Sequence, residues 1–256
     1  MVASAEGLDL AQLVFYAIII FPTFYCLIVH GRHGLLGWMY AVAMCLLRIV
    51  GNAIAFHAMV SDGTVNKVAS ILNGVGLSPL LMAALGLLHE ANHSIQRSLS
   101  EPLGIRGNII IHMVIAAGIG LAASSNGKQS HLRIGLIMFM VGWIFVVGFV
   151  WLSYRARGHP RRDKDEKKIL LAVSIAMPLI GIRIVYEVAV AFTSSNIEGG
   201  SIAVRTVLGT VPEFLIMLEY VAFGIQTRFL ARNRPEVKYK PAEGQVKEAD
   251  RGDTQV

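Results

Sequence analysis

The sequence predicts an all-α fold, a polytopic transmembrane bundle of seven helices with its amino terminus lumenal or outside and its carboxy terminus cytosolic. Three observations predict it. Of 256 residues, 54% are hydrophobic and only 16% charged, against about 25% charged in an average soluble domain. The charges are segregated into short stretches, chiefly 155–168 and 228–251. Between such stretches run apolar segments near the roughly 20 residues that a helix needs to cross hydrocarbon, a medium that rejects charge.

In chain order the segments are Leu8 to His30, Leu35 to Met59, Val65 to Glu90, Asn108 to Ser124, His131 to Tyr154, Ile169 to Thr193 and Thr206 to Leu230. At about 1.5 Å rise per residue each approaches or exceeds the roughly 30 Å of hydrocarbon, the fourth being the shortest. Met1 to Leu8 lacks the cationic start of a cleaved signal peptide, so the first segment is expected to stay in the mature chain. The odd number of crossings puts the termini on opposite sides.

Lysine and arginine in the connections set the orientation. If the segments alternate, Arg32, Arg97, Arg106, the run RARGHPRRDKDEKK and Arg228, Arg232 and Arg234 share one side, against Lys67, Lys128, Arg133 and Arg205 on the other. The richer side is read as cytosolic. Residues 1–232 then form the transmembrane domain, and 233–256, rich in charge, Pro and Gly, form a disordered cytosolic tail. The net charge of +6 lies in loops and tail, which points to anionic lipid at the cytosolic face and away from nucleic acid. Cys26 and Cys45 both fall in apolar segments, and neither a disulfide framework nor zinc-type spacing is expected.

Function is sought among polar side chains inside the spans, because each costs several kcal/mol unless paired or hydrated. The sixth segment carries Arg183, Tyr186 and Glu187 on one helical face. The second carries Arg48 and Asn52 one turn apart, with no acid of its own, so the partner of Arg48 must be Glu187, Glu213 or Glu219 from another span. The seventh carries Pro212, Glu213 and, near mid-span, Glu219. Counting from the outer boundaries at about 1.5 Å per residue puts Asn52, Asn73, Glu187 and Glu213 at roughly 9 to 12 Å, with Arg48 and Arg183 about a turn deeper. With Gln12 and Tyr16 nearby, these residues are expected to floor a pocket in the outer half of the bundle. Ion pairs that only hold helices together are the competing account. His89, Glu90 and His93 have the spacing of a metal-binding helix end, but solvated ends are the commoner use of such residues, and no metal is expected.

At RHGLLGW, CLLRIVGNAIAF, LSPLLMAALGLLHEANHSI, RIVYEV and PEFLIMLEYVAFG the chain resembles a fungal family of small seven-span membrane proteins catalogued as a domain of unknown function. The resemblance covers all but the tail. It implies a fungal integral membrane protein and transfers no catalytic residue. In size and span count the chain is also similar to the fungal membrane-bound terpene cyclases of meroterpenoid pathways, a likeness of architecture alone. Those enzymes protonate an epoxide or alkene with an intramembrane carboxylic acid.

The leading expectation is therefore a metal-independent, cofactor-free terpene cyclase of isomerase or lyase type, acting on a lipophilic prenylated molecule in the endoplasmic reticulum or another endomembrane. Glu213 or Glu187 supplies the acid. Arg48, Asn52, Asn73, Arg183, Tyr186 and Glu219 line the substrate, and Trp38, Trp143, Phe214 and Tyr220 offer cation-stabilising walls. Ionisation-type prenyl chemistry is disfavoured, since no Asp-rich diphosphate motif lies in the spans. A seven-span receptor or sensor is the alternative, although Asp-Arg-Tyr, Asn-Pro-x-x-Tyr and a seventh-span lysine are all missing. A transporter ranks third, with no related halves to support it.

Overall fold

The computed structural model describes residues 2–62, 77–98, 105–123, 129–193 and 201–230. Asn73, Lys67, Lys128 and the tail at 233–256 lie outside the described residues. Apart from short turns the described chain is helical: α1 (Val2–Asp62), α2 (Leu77–Ala91), α3 (Ile105–Ala123), α4 (Gln129–Arg155), α5 (Lys164–Thr193) and α6 (Ile202–Gln226), with a 3-10 turn at His93–Ser98 after α2. Among the described residues, four helices are long and apolar enough to cross a membrane, at Gly7–Ala58, Ser130–Arg155, Lys164–Thr193 and Ile202–Gln226. Leu77–Ala91 and Ile109–Leu121 are shorter apolar helices.

The first two apolar segments are one helical element broken at a single residue. Gly31 has φ 57 and ψ −148, a conformation only glycine adopts without strain, and the chain reverses there. The reversal is visible in the contacts. Tyr16, before Gly31, and Arg48, after it, both bond Glu213 of α6. Cys26 and Trp38, again on either side, both lie against Gly224 of the same helix. The two arms, 2–30 and 32–62, therefore run antiparallel, and the expected loop between them shrinks to one residue.

All of α2 but His89 is buried. A helix that is apolar on every side belongs in the middle of a bundle, and α2 packs against α1, α3, α4 and α5, while α6 closes the assembly against α1 and α5. Outward faces are apolar as well: Phe21 is 75% exposed, Met113 68% and Ile18 65%. In lipid such burial brings little hydrophobic gain, because the tails are as apolar as leucine. Close backbone approach and polar bonds then specify the packing. Gly37 and Gly86 supply the first, since a Cβ at Gly86 would lie 2.4 Å from the Gly37 nitrogen.

The α4–α5 connection is fastened from inside. Arg162 donates to the Ser153 carbonyl at 2.9 Å and to Asn92 Oδ1, Asn92 Nδ2 donates to Ser153 Oγ at 2.8 Å, and the Ser94 amide donates to Glu166 Oε1 at 3.1 Å. Asp165 and Glu166 also sit in the first turn of α5, where the helix dipole favours acids. That favourable start extends α5 five residues upstream of the apolar segment read from Ile169.

Candidate functional site

The sequence of α6 breaks its own helical ladder above Glu213. Pro212 has no N–H to give, and the preceding residues Arg205–Thr210 form a π-helical stretch in which the Val211 amide reaches back to the Thr206 carbonyl. The loosened turn lets the Gly209 carbonyl accept from Arg183 Nη1 at 3.1 Å. Directly below, Glu213 is 1% exposed and collects donors from both arms of α1 and from α5.

Arg48 grips Glu213 from its side-on edge, with Nε to Oε1 at 2.6 Å and Nη2 to Oε2 at 2.7 Å. Arg183 Nη1 pairs with Oε2, and the Tyr16 hydroxyl donates to Oε1. Tyr16, Arg48 and Arg183 are each under 5% exposed. A turn further out, Gln12 Nε2 donates to Thr210 Oγ1 at 3.1 Å and Asn52 Nδ2 to Gln12 Oε1 at 3.4 Å. Outermost, Arg205 lies 3.7 Å from Asp9. Phe214 stacks on Phe15 with ring centroids 3.8 Å apart, placing an aromatic pair beside the cluster.

Among the described residues the charges balance. Arg48, Arg183 and Arg205 face Asp9, Glu187 and Glu213, three against three. Two guanidinium groups on one carboxylate would leave a buried positive charge, and Glu187 offsets it: it lies one turn along α5 from Arg183, 3.9 Å away, with 26% of its side chain exposed. The i,i+4 pair expected within the sixth segment is therefore the weaker contact, because the Arg183 head turns across the interface to the better-buried acceptor.

The remaining expected site residues scatter. Asn52 is fully buried against Gln12. Asn73 lies outside the described residues. Glu219 is not in the cluster: six residues beyond Glu213 turns it about 240° around α6 and drops it about 9 Å. Among the described residues neither of its oxygens, both buried, has a hydrogen-bond partner. Around Glu213 the side chains expected to floor a pocket bond one another and bury the carboxylate.

Open space lies beside the cluster instead. A groove of 830 Å³ follows α5 from Pro178 through Gly181, Val185 and Tyr186 to Thr193, flanked by Trp143 of α4 and by Ser201, Val204 and Leu208 at the start of α6. Tyr186 forms part of its wall and touches the Gly209 position, linking groove and cluster. Of the four aromatic residues expected as walls, Trp143 lines the groove, donating its Nε1 to the Met177 carbonyl at 2.9 Å. Trp38 and Tyr220 are each 1% exposed and packed in the core.

A second buried polar site sits at the opposite end. His30 Nε2 donates to the Gly224 carbonyl at 3.0 Å, and Nδ1 meets Glu90 Oε1 at 2.8 Å, both side chains wholly buried. Glu90 thus faces His30 rather than joining His89 and His93, and the His93 ring packs on His33. Among the described residues no group of three or more His, Cys, Asp or Glu is placed to hold a metal. Sequence reasoning left Asp9, Thr210 and the His30–Glu90 pair out of the site. Asp9, Gln12 and Tyr16 recur at spacings of three and four on one face of an apolar segment, a signal that would have found the first.

Apolar-surfaced helices closed around charge-balanced polar clusters define a helical bundle of membrane-protein type. Within that class, the chain belongs to the family described as Domain of unknown function (DUF7702), whose model matches residues 2–230. No curated protein and no solved structure matches it.

Proposed function

We propose that the chain crosses the membrane seven times, amino terminus lumenal or outside and carboxy terminus cytosolic, and admits a lipophilic prenyl-type molecule from the bilayer into the groove along α5. There a carboxyl protonates an epoxide or alkene, and the protein acts as a cofactor-free cyclase of isomerase or lyase type in a fungal endomembrane. The observation that carries this reading is the 830 Å³ groove with apolar walls against the outward side of α5, within the size range of small-molecule sites, about 300–1,000 Å³. Apolar walls shield carbocations from water, and the Trp143 ring offers a π-face to one.

Seven crossings follow if the two arms of α1 count separately, because each rises about 40 Å, and if the shorter α2 and α3 cross as well. The acid must be a carboxyl free to give a proton. Glu213 accepts from Tyr16, Arg48 and Arg183, so it serves as the anchor of the bundle. Glu187 follows Tyr186 at the outer part of the groove, and Glu219 lies deeper on α6.

Expression in a fungal host that supplies epoxidised prenyl precursors, with lipid extracts compared by mass spectrometry, tests the activity. A new product isomeric with the precursor is expected, absent from the empty-vector strain. Precursor left unchanged in strains that accumulate folded protein would rule the cyclase out. Orientation needs a separate test, because Asn92 of the sequon Asn92-His93-Ser94 is 4% exposed and bonded to Ser153 and Arg162, hence closed to glycosylation on either side. Glu198→Thr creates a sequon at Asn196. Modification there is expected if the α5–α6 connection is lumenal, and a glycan appearing instead on a sequon engineered into the tail would invert the model.

A further inference from the structure

Every carboxyl in the outer polar layer has a cation: Glu213 has Arg48 and Arg183, Glu187 has Arg183, and Asp9 has Arg205. Glu219 has none. Its two oxygens are buried, and no donor reaches either among the described residues. An ionised carboxylate in such surroundings costs far more than the neutral acid. Glu219 also stands at a border. On α6 its neighbours one turn away are Leu215 and Ala222, both exposed, and Ile216, fully buried.

The lining of the groove on α6 is Val204 and Leu208, and Glu219 follows beyond it on the same helix. Leu208, which lines it, lies eleven residues before Glu219, close to three full turns, so the two share a stripe of α6. On α5 the groove reaches Pro178. Tyr186 packs against Gly209, and counting equal rise along the two antiparallel helices from that contact puts Pro178 level with residue 217, within about one turn of Glu219. Pro178 has no N–H for the Ser174 carbonyl, which leaves a second acceptor facing this depth.

We propose that Glu219 is the polar anchor of a site entered from lipid: a proton-bearing carboxyl that hydrogen-bonds the single oxygen function, hydroxyl, carbonyl or epoxide, of a lipophilic molecule lying along α5. The inference rests on the groove reading above and on no particular reaction. The acid O–H donates to the ligand oxygen, and a ligand hydroxyl can return its proton to the carbonyl oxygen of Glu219 or of Ser174. Glu213 cannot take this role, since its oxygens already accept from three side chains.

Dicyclohexylcarbodiimide, a lipophilic reagent that attacks protonated carboxyls, tests it on the full chain in lipid nanodiscs. The acid proton moves to a carbodiimide nitrogen while a carboxyl oxygen bonds the central carbon, and the O-acylisourea rearranges to a stable N-acylurea that peptide mass spectrometry locates. Labelling is expected at Glu219, at least tenfold above Glu213 and Glu187, and absent in Glu219→Gln, whose melting midpoint should match the parent. Farnesol, a prenyl alcohol, is expected to slow labelling several-fold, whereas the hydrocarbon farnesene should not. No adduct at Glu219, or farnesene protecting as well as farnesol, overturns the anchor. Isomer formation in a protein that gives no adduct at Glu219 sinks the anchor and leaves the cyclase standing. Protected labelling in a protein that makes no isomer sinks the cyclase and leaves the anchor.

Discussion

Glu213 and Glu219 are six residues apart on α6, in the same helix and the same apolar setting, yet their surroundings are opposite. Glu213 receives Arg48 from the second arm of α1, Tyr16 from the first and Arg183 from α5. Glu219 receives nothing among the described residues. The difference teaches which carboxyl holds the bundle together and which is left for a ligand. A carboxylate with donors from both arms of α1 and from α5 fixes the rotation and depth of all three. Moving any of them breaks bonds to a group that water cannot rescue. A carboxyl without donors contributes nothing to packing, and retaining it has to be explained by something outside the fold.

The largest expected effect is at Glu213. Glu213→Gln removes the shared anion and strands two guanidinium groups in the core, a loss of about 3–5 kcal/mol for breaking a buried pair. In detergent the variant should lose its cooperative thermal transition or fail to accumulate. An unchanged midpoint would mean that the Glu213 cluster is not a structural anchor, and the contrast with Glu219 would collapse.

Next come the two cations, which are not equivalent. Arg48 binds both Glu213 oxygens through Nε and Nη2, and removing it strips a bidentate, charge-assisted contact of about 2–3 kcal/mol. Arg183→Met also loses a bond to Glu213, but it relieves repulsion between two neighbouring guanidinium groups, so its cost should be smaller, about 1–2 kcal/mol. Chemical denaturation of both single variants checks the order. Should Arg183→Met prove the more harmful, the second guanidinium is needed for something that pairing with Glu213 does not describe.

Much of this layer is legible in the sequence. Composition and charge segregation announce apolar helices, and the rise per residue brings Arg48, Arg183 and Glu213 near one depth, because a bilayer forces buried polar groups on separate helices to the level where they can meet. Rotation is not legible. Depth alone groups Glu187 with Glu213 and leaves Glu219 a candidate partner of Arg48, whereas the facing directions are set by contacts such as Gly37 on Gly86 and Trp38 on Gly224, which depend on side-chain volumes from distant segments. The single-residue reversal at Gly31 is hidden for a related reason. Gly31 to Gly34, with Arg32 and His33 between them, read as a loop, and only tertiary packing carries the helices up to Gly31 from both sides. The His30–Glu90 pair escapes because both residues sit at segment ends, where polar side chains ordinarily meet solvent.

The smallest expected effect sharpens the comparison most. Glu219→Gln substitutes a neutral group of similar shape for a carboxyl that has no partner among the described residues, so stability should change by no more than about 0.5 kcal/mol. Glu219→Leu should leave the protein as stable as the parent or slightly more so, since it removes buried oxygens that no donor reaches. Thermal melts of both, run beside Glu213→Gln, give the two ends of one scale. A drop in Glu219→Gln comparable to that in Glu213→Gln would show that a donor reaches Glu219 after all, and its claim to be open to a ligand would go with it. A flat response would leave Glu219 as a buried carboxyl that the fold can do without, and binding becomes the remaining place to look for its use.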